Sequence, residues 1–145
     1  MKIPNQWTFH NKEIAKNFNK HVREQLPWYE LATQGVVHIA RHYIPKNGLV
    51  YDLGASTGNI GNAIKDILKS RNANLIAIEN SKEMVDLYNC HYGKLECYNV
   101  QEYNYNNFDL CISFLCLMFI EPKYRKDLLS KLYSKLNIGG CIIIF

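Results

Sequence analysis

One short segment of the sequence combines an acidic residue with several small residues in the arrangement that a ligand-binding turn requires. It follows an apolar run that ends at Leu53, and it precedes a stretch with helical periodicity. Small side chains allow a ligand to approach the main chain closely, and the free N–H groups at the start of a helix can bind its polar atoms. Because an open parallel sheet binds ligands at the carboxyl ends of its strands, we expect a binding site here. The residues concerned are Asp52, Gly54, Ala55, Ser56 and Gly58.

The glycine pattern of this turn is compatible with several chemistries. A dinucleotide-binding turn requires Gly-x-Gly-x-x-Gly, but Ser56 occupies the position of the second glycine, where the pyrophosphate needs close approach. The same residues match the Gly-x-Ser-x-Gly elbow of hydrolases, but His91 is the only histidine that follows Ser56. A tight turn without a ligand is a further interpretation. The acidic Asp52 favours a ligand with an ammonium group, because the two form a charge-assisted hydrogen bond.

A second acidic residue follows the next predicted strand. Residues 75–78 form an apolar run that leads into Glu79 and Asn80, about twenty residues after the turn. A carboxylate at this position can accept both hydroxyls of a ribose. Nucleotide cofactors of several kinds carry such a ribose, so Glu79 argues against a hydrolase without choosing among them. A solvated carboxylate that caps the next helix is the alternative interpretation.

Strand-like and helix-like segments alternate from residue 49 onward. The strand-like segments are apolar along their whole length, which is typical of a parallel sheet covered by helices on both faces. We therefore expect an α/β fold with a Rossmann-like doubly wound parallel sheet, in which an N-terminal helical cap (residues 1–48) and a ligand-binding domain (residues 49–145) form one compact unit. The predicted strands span residues 49–53, 75–78, 95–100, 108–113 and 141–145, and the predicted helices span residues 59–69, 82–92 and 122–136, with Gly139 and Gly140 ending the last helix.

Composition is that of an ordinary globular domain, with 145 residues, 48% apolar residues and a net charge of +4. The N-terminus has no signal pattern and no apolar run reaches the length of about 18 residues that a membrane span needs, so we expect a cytoplasmic protein. Five cysteines without a Cys-x-x-Cys pair indicate reduced thiols. His38 and His42 have the spacing of a zinc pair but lack the accompanying glutamate, and we expect no metal.

Three motifs resemble one group of enzymes. Residues 51–58, 76–81 and 114–122 are similar to motifs of class I S-adenosylmethionine-dependent methyltransferases, and most closely to the carboxy-S-adenosylmethionine synthase family, which serves wobble-uridine modification in tRNA. Residues 125–140 and parts of residues 8–29 continue the resemblance, which thus covers almost the whole chain. It implies the class I methyltransferase fold and S-adenosylmethionine as the cofactor.

The resemblance also implies roles within the cofactor site, where Asp52 would order the turn and help to hold the amino-acid end of the cofactor. The family usually has Asp in place of Glu79 and Asn in place of Ser113. The family also binds the extra carboxylate of its ligand with an arginine. That arginine lies in the C-terminal half of the family, after the part matched here. The implied contacts are Tyr29 as a lid, Gly54, Ala55 and Ser56 beneath methionine, Glu79 and Asn80 at the ribose, Asn99 and Val100 at the adenine, and Ser113 at the reactive end.

The predicted function is methyl transfer from S-adenosylmethionine to an unidentified acceptor, either a small molecule or tRNA. A carboxy-S-adenosylmethionine synthase and a non-catalytic S-adenosylmethionine-binding module are the alternatives, and a NAD enzyme is a weaker one. No catalytic residue is predicted, because the sulfonium is already reactive and the protein mainly aligns the reactants in a dry site.

Three further features each have two interpretations. Trp7, Phe9, Trp28 and Tyr29 either cover the sheet or form a lid over the cofactor. The family fold continues with two strands beyond the predicted fifth strand, residues 141–145, so the free edge of this strand is expected to pair with a second copy of the chain or with a partner protein. Basic residues of the last predicted helix form either a solvated face or a patch for RNA: Lys123, Arg125, Lys126, Lys131 and Lys135.

Overall fold

The computed structural model describes Thr8 and residues 10–145, so Trp7 and Phe9 of the lid hypothesis lie outside the described residues. The described chain forms a parallel five-stranded sheet with the strand order β3-β2-β1-β4-β5. The strands are β1 (Leu49–Leu53), β2 (Asn74–Glu79), β3 (Lys94–Cys97), β4 (Phe108–Ser113) and β5 (Leu136–Ile144). The helices are α1 (Lys12–Gln25), α2 (Tyr29–Tyr43), α3 (Asn59–Ser70), α4 (Lys82–Val85) and α5 (Pro122–Lys135), with a 3₁₀ turn at Leu117–Phe119.

Apolar side chains cover both faces of the sheet. On one face, Val36 of α2 and Ile64 of α3 share a core with Val50 of β1. On the other face, Leu128 of α5 packs in a second core with Tyr51, the next residue of β1. Burial on both faces explains why the strands are apolar throughout. This arrangement confirms the predicted α/β fold with a doubly wound parallel sheet.

The helix predicted over residues 82–92 is much shorter in the structure, where α4 ends at Val85. The N–H of Asn89 donates to the carbonyl oxygen of Thr57 (3.1 Å), a partner that lies outside any helix. Gly93 has φ of +80°, and a side chain there would collide with the main chain of β2. The chain therefore leaves the helix early, and the segment before β3 passes close to Thr57 and to Leu75 of β2. Strand β3 also ends three residues earlier than predicted, because the main chain turns after Cys97.

The two glycines near the end of the sequence lie within β5 and do not end α5. The register of β5 against β4 shifts beside Asp109, which marks a bulge in β5. Gly139 supplies the left-handed conformation of this bulge, with φ of +81°. The Asn137 side-chain amide donates to the Asp109 carboxylate (2.9 Å) and fixes the bulge against β4. The strand therefore begins five residues before the predicted position, at Leu136.

Two structural observations concern membranes and metals. Among the residues that the structure describes, no helix has both the length and the apolar character needed to cross a bilayer. The same residues include no group of three or more histidine, cysteine, aspartate or glutamate side chains that could hold a metal ion. His38 and His42 contact each other edge to face, with ring centroids 5.6 Å apart.

Candidate functional site

A cavity of about 520 Å³ lies at the carboxyl ends of β1, β2 and β4, beneath the junction of α1 and α2. Its walls differ in character. The ends of β1 and β2 contribute polar groups, whereas α1 and the segment after β4 contribute mainly apolar side chains. Eight residues of the predicted site line this cavity: Tyr29, Asp52, Gly54, Ala55, Ser56, Glu79, Asn80 and Val100.

The turn after β1 has a strained backbone that glycine makes possible. Gly54 and Ser56 have φ of +66° and +51°, and Gly58 at the start of α3 has φ of +98°. A Cβ atom on Gly54 would lie 2.7 Å from Sγ of Cys116, which is closer than carbon and sulfur can pack. The N–H groups of Gly54 and Ala55 both donate to the carbonyl oxygen of Ile78, at 2.9 and 3.0 Å. The turn is therefore pulled against β2 and exposes its main chain to the cavity.

Glu79 holds this turn in place from the end of β2. One carboxylate oxygen accepts a hydrogen bond from the N–H of Ser56 (2.8 Å), and the other accepts one from the N–H of Ser81 (2.9 Å). The first bond stabilises the left-handed backbone of Ser56, a conformation that costs a non-glycine residue about 1–2 kcal/mol. Each carboxylate oxygen retains a further lone pair. Glu79 can therefore support the turn and also accept hydrogen bonds from a ligand in the cavity.

Asp52 is the most unusual polar residue of the cavity. Its side chain is buried, with 1% of the residue exposed, and its Oδ2 atom has no hydrogen-bond partner among the described residues. Burial, followed by the nearby Glu79 carboxylate, raises the pKa of Asp52 to about 7, while the N–H of Gly61 acts in the opposite direction. A buried carboxylate oxygen without a partner is costly, so this arrangement suits a site that a cationic ligand completes.

Tyr29 connects the cavity to the protein core. The residue is buried, its ring contacts Phe114 edge to face with centroids 5.3 Å apart, and the Arg23 guanidinium lies 5.2 Å from the ring centroid. Burial is the main reason that the pKa of its hydroxyl rises to about 12. Trp28 packs against Phe145, with ring centroids 5.7 Å apart. Tyr29 thus belongs to the core and also lines the cavity, and its role as a lid stays a prediction.

The remaining predicted residues lie behind the cavity wall. Gly58 begins α3, and a Cβ atom there would lie 3.0 Å from the main-chain nitrogen of Cys90. Asn99 accepts a hydrogen bond from the Asn80 side chain (3.0 Å) and so supports a residue that does line the cavity. Ser113 is buried, and its carbonyl oxygen accepts from the N–H of Phe145 (3.0 Å). These three residues support the site from outside and do not line it.

Several residues that line the cavity are absent from the sequence-based site. Met118 and Phe119 lie on the 3₁₀ turn after β4, and His21 and Gln25 lie on α1. The apolar run over residues 108–119 gave a signal for the first pair, because it continues well beyond the length of a strand. The α1 residues give no comparable local signal, since only the packing of α1 over the sheet brings them to the site.

Two basic residues of α5 have structural partners. The Arg125 guanidinium donates to the carbonyl oxygens of Ile120 (2.8 Å) and Met118 (3.1 Å). The Lys131 ammonium donates to the carbonyl oxygen of Gln101 (2.7 Å). At these two of the five basic positions the side chain also supports neighbouring main chain, and the choice between a solvated face and an RNA patch stays a prediction. Arg125 holds the main chain of Met118 and Ile120, which line one edge of the cavity.

Several curated proteins are similar to this chain. The carboxy-S-adenosyl-L-methionine synthase of Staphylococcus epidermidis is 36% identical over 148 aligned residues, which cover 97% of this chain and 63% of that protein. The enzyme of the same name from Shewanella piezotolerans is 28% identical and covers 94% of this chain and 59% of that protein. The chain thus spans about three fifths of the length of these relatives.

Solved structures share the fold at low sequence identity. A TehB-like SAM-dependent methyltransferase from Corynebacterium glutamicum superposes with a TM-score of 0.69 at 16% identity, covering 92% of this chain and 73% of that one. The plantazolicin methyltransferase BpumL, solved in complex with a pentazolic desmethylPZN analog and SAH, gives a TM-score of 0.66 at 16% identity, covering 89% of this chain and 51% of that one. Residues 50–140 match the family described as a methyltransferase domain. This chain therefore belongs to the methyltransferase domain family.

Proposed function

We propose that this chain binds S-adenosylmethionine in the cavity and takes part in methyl transfer to an acceptor. The observation that carries the proposal is the buried Oδ2 atom of Asp52, which has no hydrogen-bond partner among the described residues and belongs to a residue that lines the cavity. The ammonium group of the cofactor is a suitable partner for this oxygen, because a charged hydrogen bond would offset the cost of its burial. Family membership supports the same cofactor.

The charges of the cavity favour this cofactor over NAD. Asp52 and Glu79 are both acidic, and the described residues that line the cavity include no lysine or arginine. S-adenosylmethionine carries a positive ammonium group and a positive sulfonium, whereas NAD carries a negative pyrophosphate that would meet two carboxylates. Electrostatic complementarity of this kind decides which ligand enters a site.

Each wall of the cavity fits one part of the cofactor. Glu79 has acceptor capacity left for the hydroxyls of the ribose. The apolar side chains of Ile78, Met84 and Val100 form a surface for the adenine ring. Gly54 and Ser56 line the cavity beside Asp52, and the main chain of this turn is suited to hold the methionine part of the cofactor.

When bound, S-adenosylmethionine supplies a methyl group on a positively charged sulfur, which leaves as a neutral thioether. The residues of this chain then need to align the acceptor and to exclude water. Burial of Tyr29 and Phe114 beside the polar wall provides a dry boundary. The acceptor is a small molecule or tRNA. Because no catalytic acid or base indicates which, the methylated product has to identify it.

A second candidate activity is that of a carboxy-S-adenosylmethionine synthase. The 36% identity to the Staphylococcus epidermidis enzyme over 97% of this chain favours it. Both activities use the same cofactor site, and they differ in product. Incubation with S-adenosylmethionine and a small-molecule extract, followed by mass spectrometry, separates them: methyl transfer yields S-adenosylhomocysteine and a methylated acceptor, whereas the synthase yields a carboxylated cofactor.

Calorimetry tests the cofactor itself. We expect S-adenosylmethionine and S-adenosylhomocysteine to bind and NAD not to bind. Asp52→Asn should weaken both interactions strongly, while Asp66→Asn on the exposed surface of α3 serves as the matched control. Equal affinity of the wild-type chain and Asp52→Asn would contradict the assignment. Binding without turnover in any extract would favour the non-catalytic module.

The outer edge of β5 supports a proposal about assembly. Within the described chain β5 pairs with β4 on one side only, and Ile138 and Ile144 are exposed on it. We infer that this edge pairs with a second copy of the chain in the cytoplasm, where the free cysteines would stay reduced. Sedimentation should show association that Ile138→Lys weakens, and a monomer at every concentration would contradict it.

A further inference from the structure

Two buried side-chain oxygens have no hydrogen-bond partner among the residues that the structure describes: Oδ2 of Asp52 and the hydroxyl oxygen of Tyr88. Buried polar groups in proteins are almost always satisfied, either by other protein groups or by ordered water. The proposed cofactor gives Asp52 a partner. Tyr88 follows α4 and is not among the residues that line the cavity, so its hydroxyl needs a different partner.

The chain after α4 packs Tyr88 against the start of α3. The N–H of Asn89 donates to the carbonyl oxygen of Thr57 (3.1 Å), which belongs to the turn after β1. Two glycines leave room for this packing. A Cβ atom on Gly58 would lie 3.2 Å from the Tyr88 ring, and one on Gly61 would lie 3.2 Å from the Tyr88 hydroxyl. The hydroxyl therefore lies against Gly61, in the first turn of α3.

Gly61 also contacts the second of the two oxygen-bearing groups. Its N–H donates to the Asp52 carboxylate, which partly offsets the effect of burial on the pKa of that group. Burial, followed by Cys90 and Asp52, raises the pKa of the Tyr88 hydroxyl, so the Asp52 carboxylate is close enough to influence it. The two oxygens nevertheless do not bond each other directly. Polar atoms at such a separation are commonly joined by one water molecule.

The Tyr88 hydroxyl is available as a donor. Because its pKa is raised, it keeps its proton throughout the physiological pH range. The Cys90 thiol lies beside the same glycine, Gly61, but it donates to the carbonyl oxygen of Tyr92 (3.7 Å), and sulfur is a weak acceptor. The acceptor that best suits the hydroxyl is therefore an oxygen on the side of Asp52.

The other titratable groups around Asp52 come from several elements. Burial raises the pKa of each neighbouring hydroxyl and thiol, so these groups stay uncharged. The nearby carboxylate of Glu79 repels the ionised form of Asp52. A neutral donor that faces Asp52 opposes this repulsion. The groups are Tyr29 of α2, Glu79 of β2, Tyr88 after α4, Cys111 of β4 and Cys116 after β4.

We propose that Tyr88 is a positioning residue for Asp52, and that its hydroxyl donates to a bound water molecule which in turn donates to Oδ2. The inference rests on the proposed function, because it concerns the carboxylate that binds the cofactor. A carboxylate oxygen accepts more than one hydrogen bond, so the water and the cofactor ammonium can bind Oδ2 together. The water favours the ionised carboxylate, which the ammonium requires. Tyr88 thereby supports cofactor binding from outside the cavity lining.

The test uses Tyr88→Phe, which removes the hydroxyl and keeps the ring that packs on Gly58. Carbon-13 NMR of the Asp52 carboxyl in the cofactor-free chain measures its titration directly, and Asp52→Asn identifies the resonance. The midpoint should be higher in Tyr88→Phe than in wild type, by about half a pH unit or more. Tyr92→Phe is the matched control. It removes a hydroxyl from the same segment, one that donates to the carbonyl oxygen of Ala73 (2.6 Å), and should leave the midpoint unchanged.

Stability gives a second measurement. If the Tyr88 hydroxyl has no partner, its removal leaves the free energy of unfolding equal or higher at every pH. If it supports the ionised carboxylate, Tyr88→Phe is less stable than wild type above the Asp52 midpoint, and the difference disappears toward pH 5. Urea denaturation of the cofactor-free chain at pH 5 and pH 8.5 separates the two cases.

Calorimetry with S-adenosylhomocysteine links the inference to the cofactor. Below the midpoint, Tyr88→Phe should bind about threefold more weakly than wild type, and at pH 8.5 the two should agree within about twofold. Equal Asp52 midpoints in Tyr88→Phe and wild type would overturn the inference, whether or not the cofactor binds. A raised midpoint in a chain that does not bind S-adenosylhomocysteine would support the link between Tyr88 and Asp52 and would refute the proposed function instead.

Discussion

The turn after β1 and the connection after β4 border the same cavity, but they are built from different interactions. In the turn, main-chain N–H groups of Gly54 and Ser56 are bound by Ile78 and by the Glu79 carboxylate. In the connection, Leu115 also has a left-handed backbone, with φ of +53°, but the segment is held by main-chain partners and by Arg125, and its side chains are apolar. One region thus presents polar main chain, and the other presents apolar side chains.

This difference corresponds to a division of tasks. The turn and β2 form the part of the cavity that a charged, hydrogen-bonding cofactor requires. The connection after β4 forms a part in which affinity depends on contact area and shape. We therefore expect changes in the turn to affect cofactor affinity, and changes in the connection to affect the acceptor while cofactor affinity stays the same.

The largest expected effect is that of Gly54→Ala. The new Cβ atom would lie 2.7 Å from Sγ of Cys116, in a backbone conformation with φ of +66°. Both the steric overlap and the left-handed conformation oppose the folded turn, so we expect a loss of about 2–4 kcal/mol in the free energy of unfolding. Cofactor affinity should fall more than 100-fold. Urea denaturation and calorimetry measure the two effects.

Two controls separate the causes of this loss. In the double variant Gly54→Ala, Cys116→Ala, the steric overlap is reduced but the left-handed conformation remains. Stability should therefore recover in part. Gly35→Ala lies in α2, where no atom is within 4 Å of the added Cβ, and should leave stability unchanged or slightly increased. Wild-type stability of Gly54→Ala would show that the turn is not constrained as described.

The second prediction concerns Asp52, whose pKa of about 7 lies well above the value of about 3.9 expected in the unfolded chain. Between pH 4 and pH 7 the folded protein therefore binds more protons than the unfolded chain, and its free energy of unfolding falls as pH rises. In the absence of cofactor, Asp52→Asn should be more stable than wild type at pH 8, by roughly 2–4 kcal/mol, and the difference should shrink toward pH 4.

Cofactor binding should show the opposite trend with pH. The cofactor ammonium requires the ionised carboxylate, so the affinity of wild type should fall by up to about tenfold for each pH unit below 7. At pH 8, Asp52→Asn should bind about 100-fold more weakly than wild type, and its affinity should no longer depend on pH in this range. Calorimetry from pH 5.5 to 8 measures this, and parallel profiles for the two proteins would exclude Asp52 as the partner of the ammonium.

A smaller effect is expected for Glu79→Gln. The substitution keeps the shape of the side chain but replaces one carboxylate oxygen with an amide that cannot accept the N–H of Ser56 or Ser81. Loss of a charged acceptor should lower cofactor affinity at least tenfold. Glu24→Gln, at an exposed position of α1 outside the cavity lining, is the control. An unchanged dissociation constant would leave Glu79 with a structural role only.

The same two regions show what the sequence could predict. The turn is contiguous, so Asp52 and the glycines at 54 and 58 identify it without knowledge of any distant residue. The connection after β4 depends on partners far along the chain, such as Tyr29, whose ring contacts Phe114. Its residues were identified only as part of a similar motif, residues 114–122, and were given no role in the site. The bulge in β5 was missed for a similar reason, because it is defined by Asp109 on the neighbouring strand.

The smallest effect on cofactor binding is expected for Arg125→Met, which tests the connection alone. The variant keeps the apolar stem of the side chain but removes the hydrogen bonds to the carbonyl oxygens of Met118 and Ile120. The 3₁₀ turn should then open more often, so the amide of Phe119, which is bonded to Cys116, should exchange its hydrogen faster. Affinity for S-adenosylhomocysteine should stay within about twofold of wild type, because Arg125 does not line the cavity. Lys126→Met on the exposed side of the same helix is the control. A tenfold loss of cofactor affinity in Arg125→Met would show that the two regions are coupled and would end the division of tasks between them.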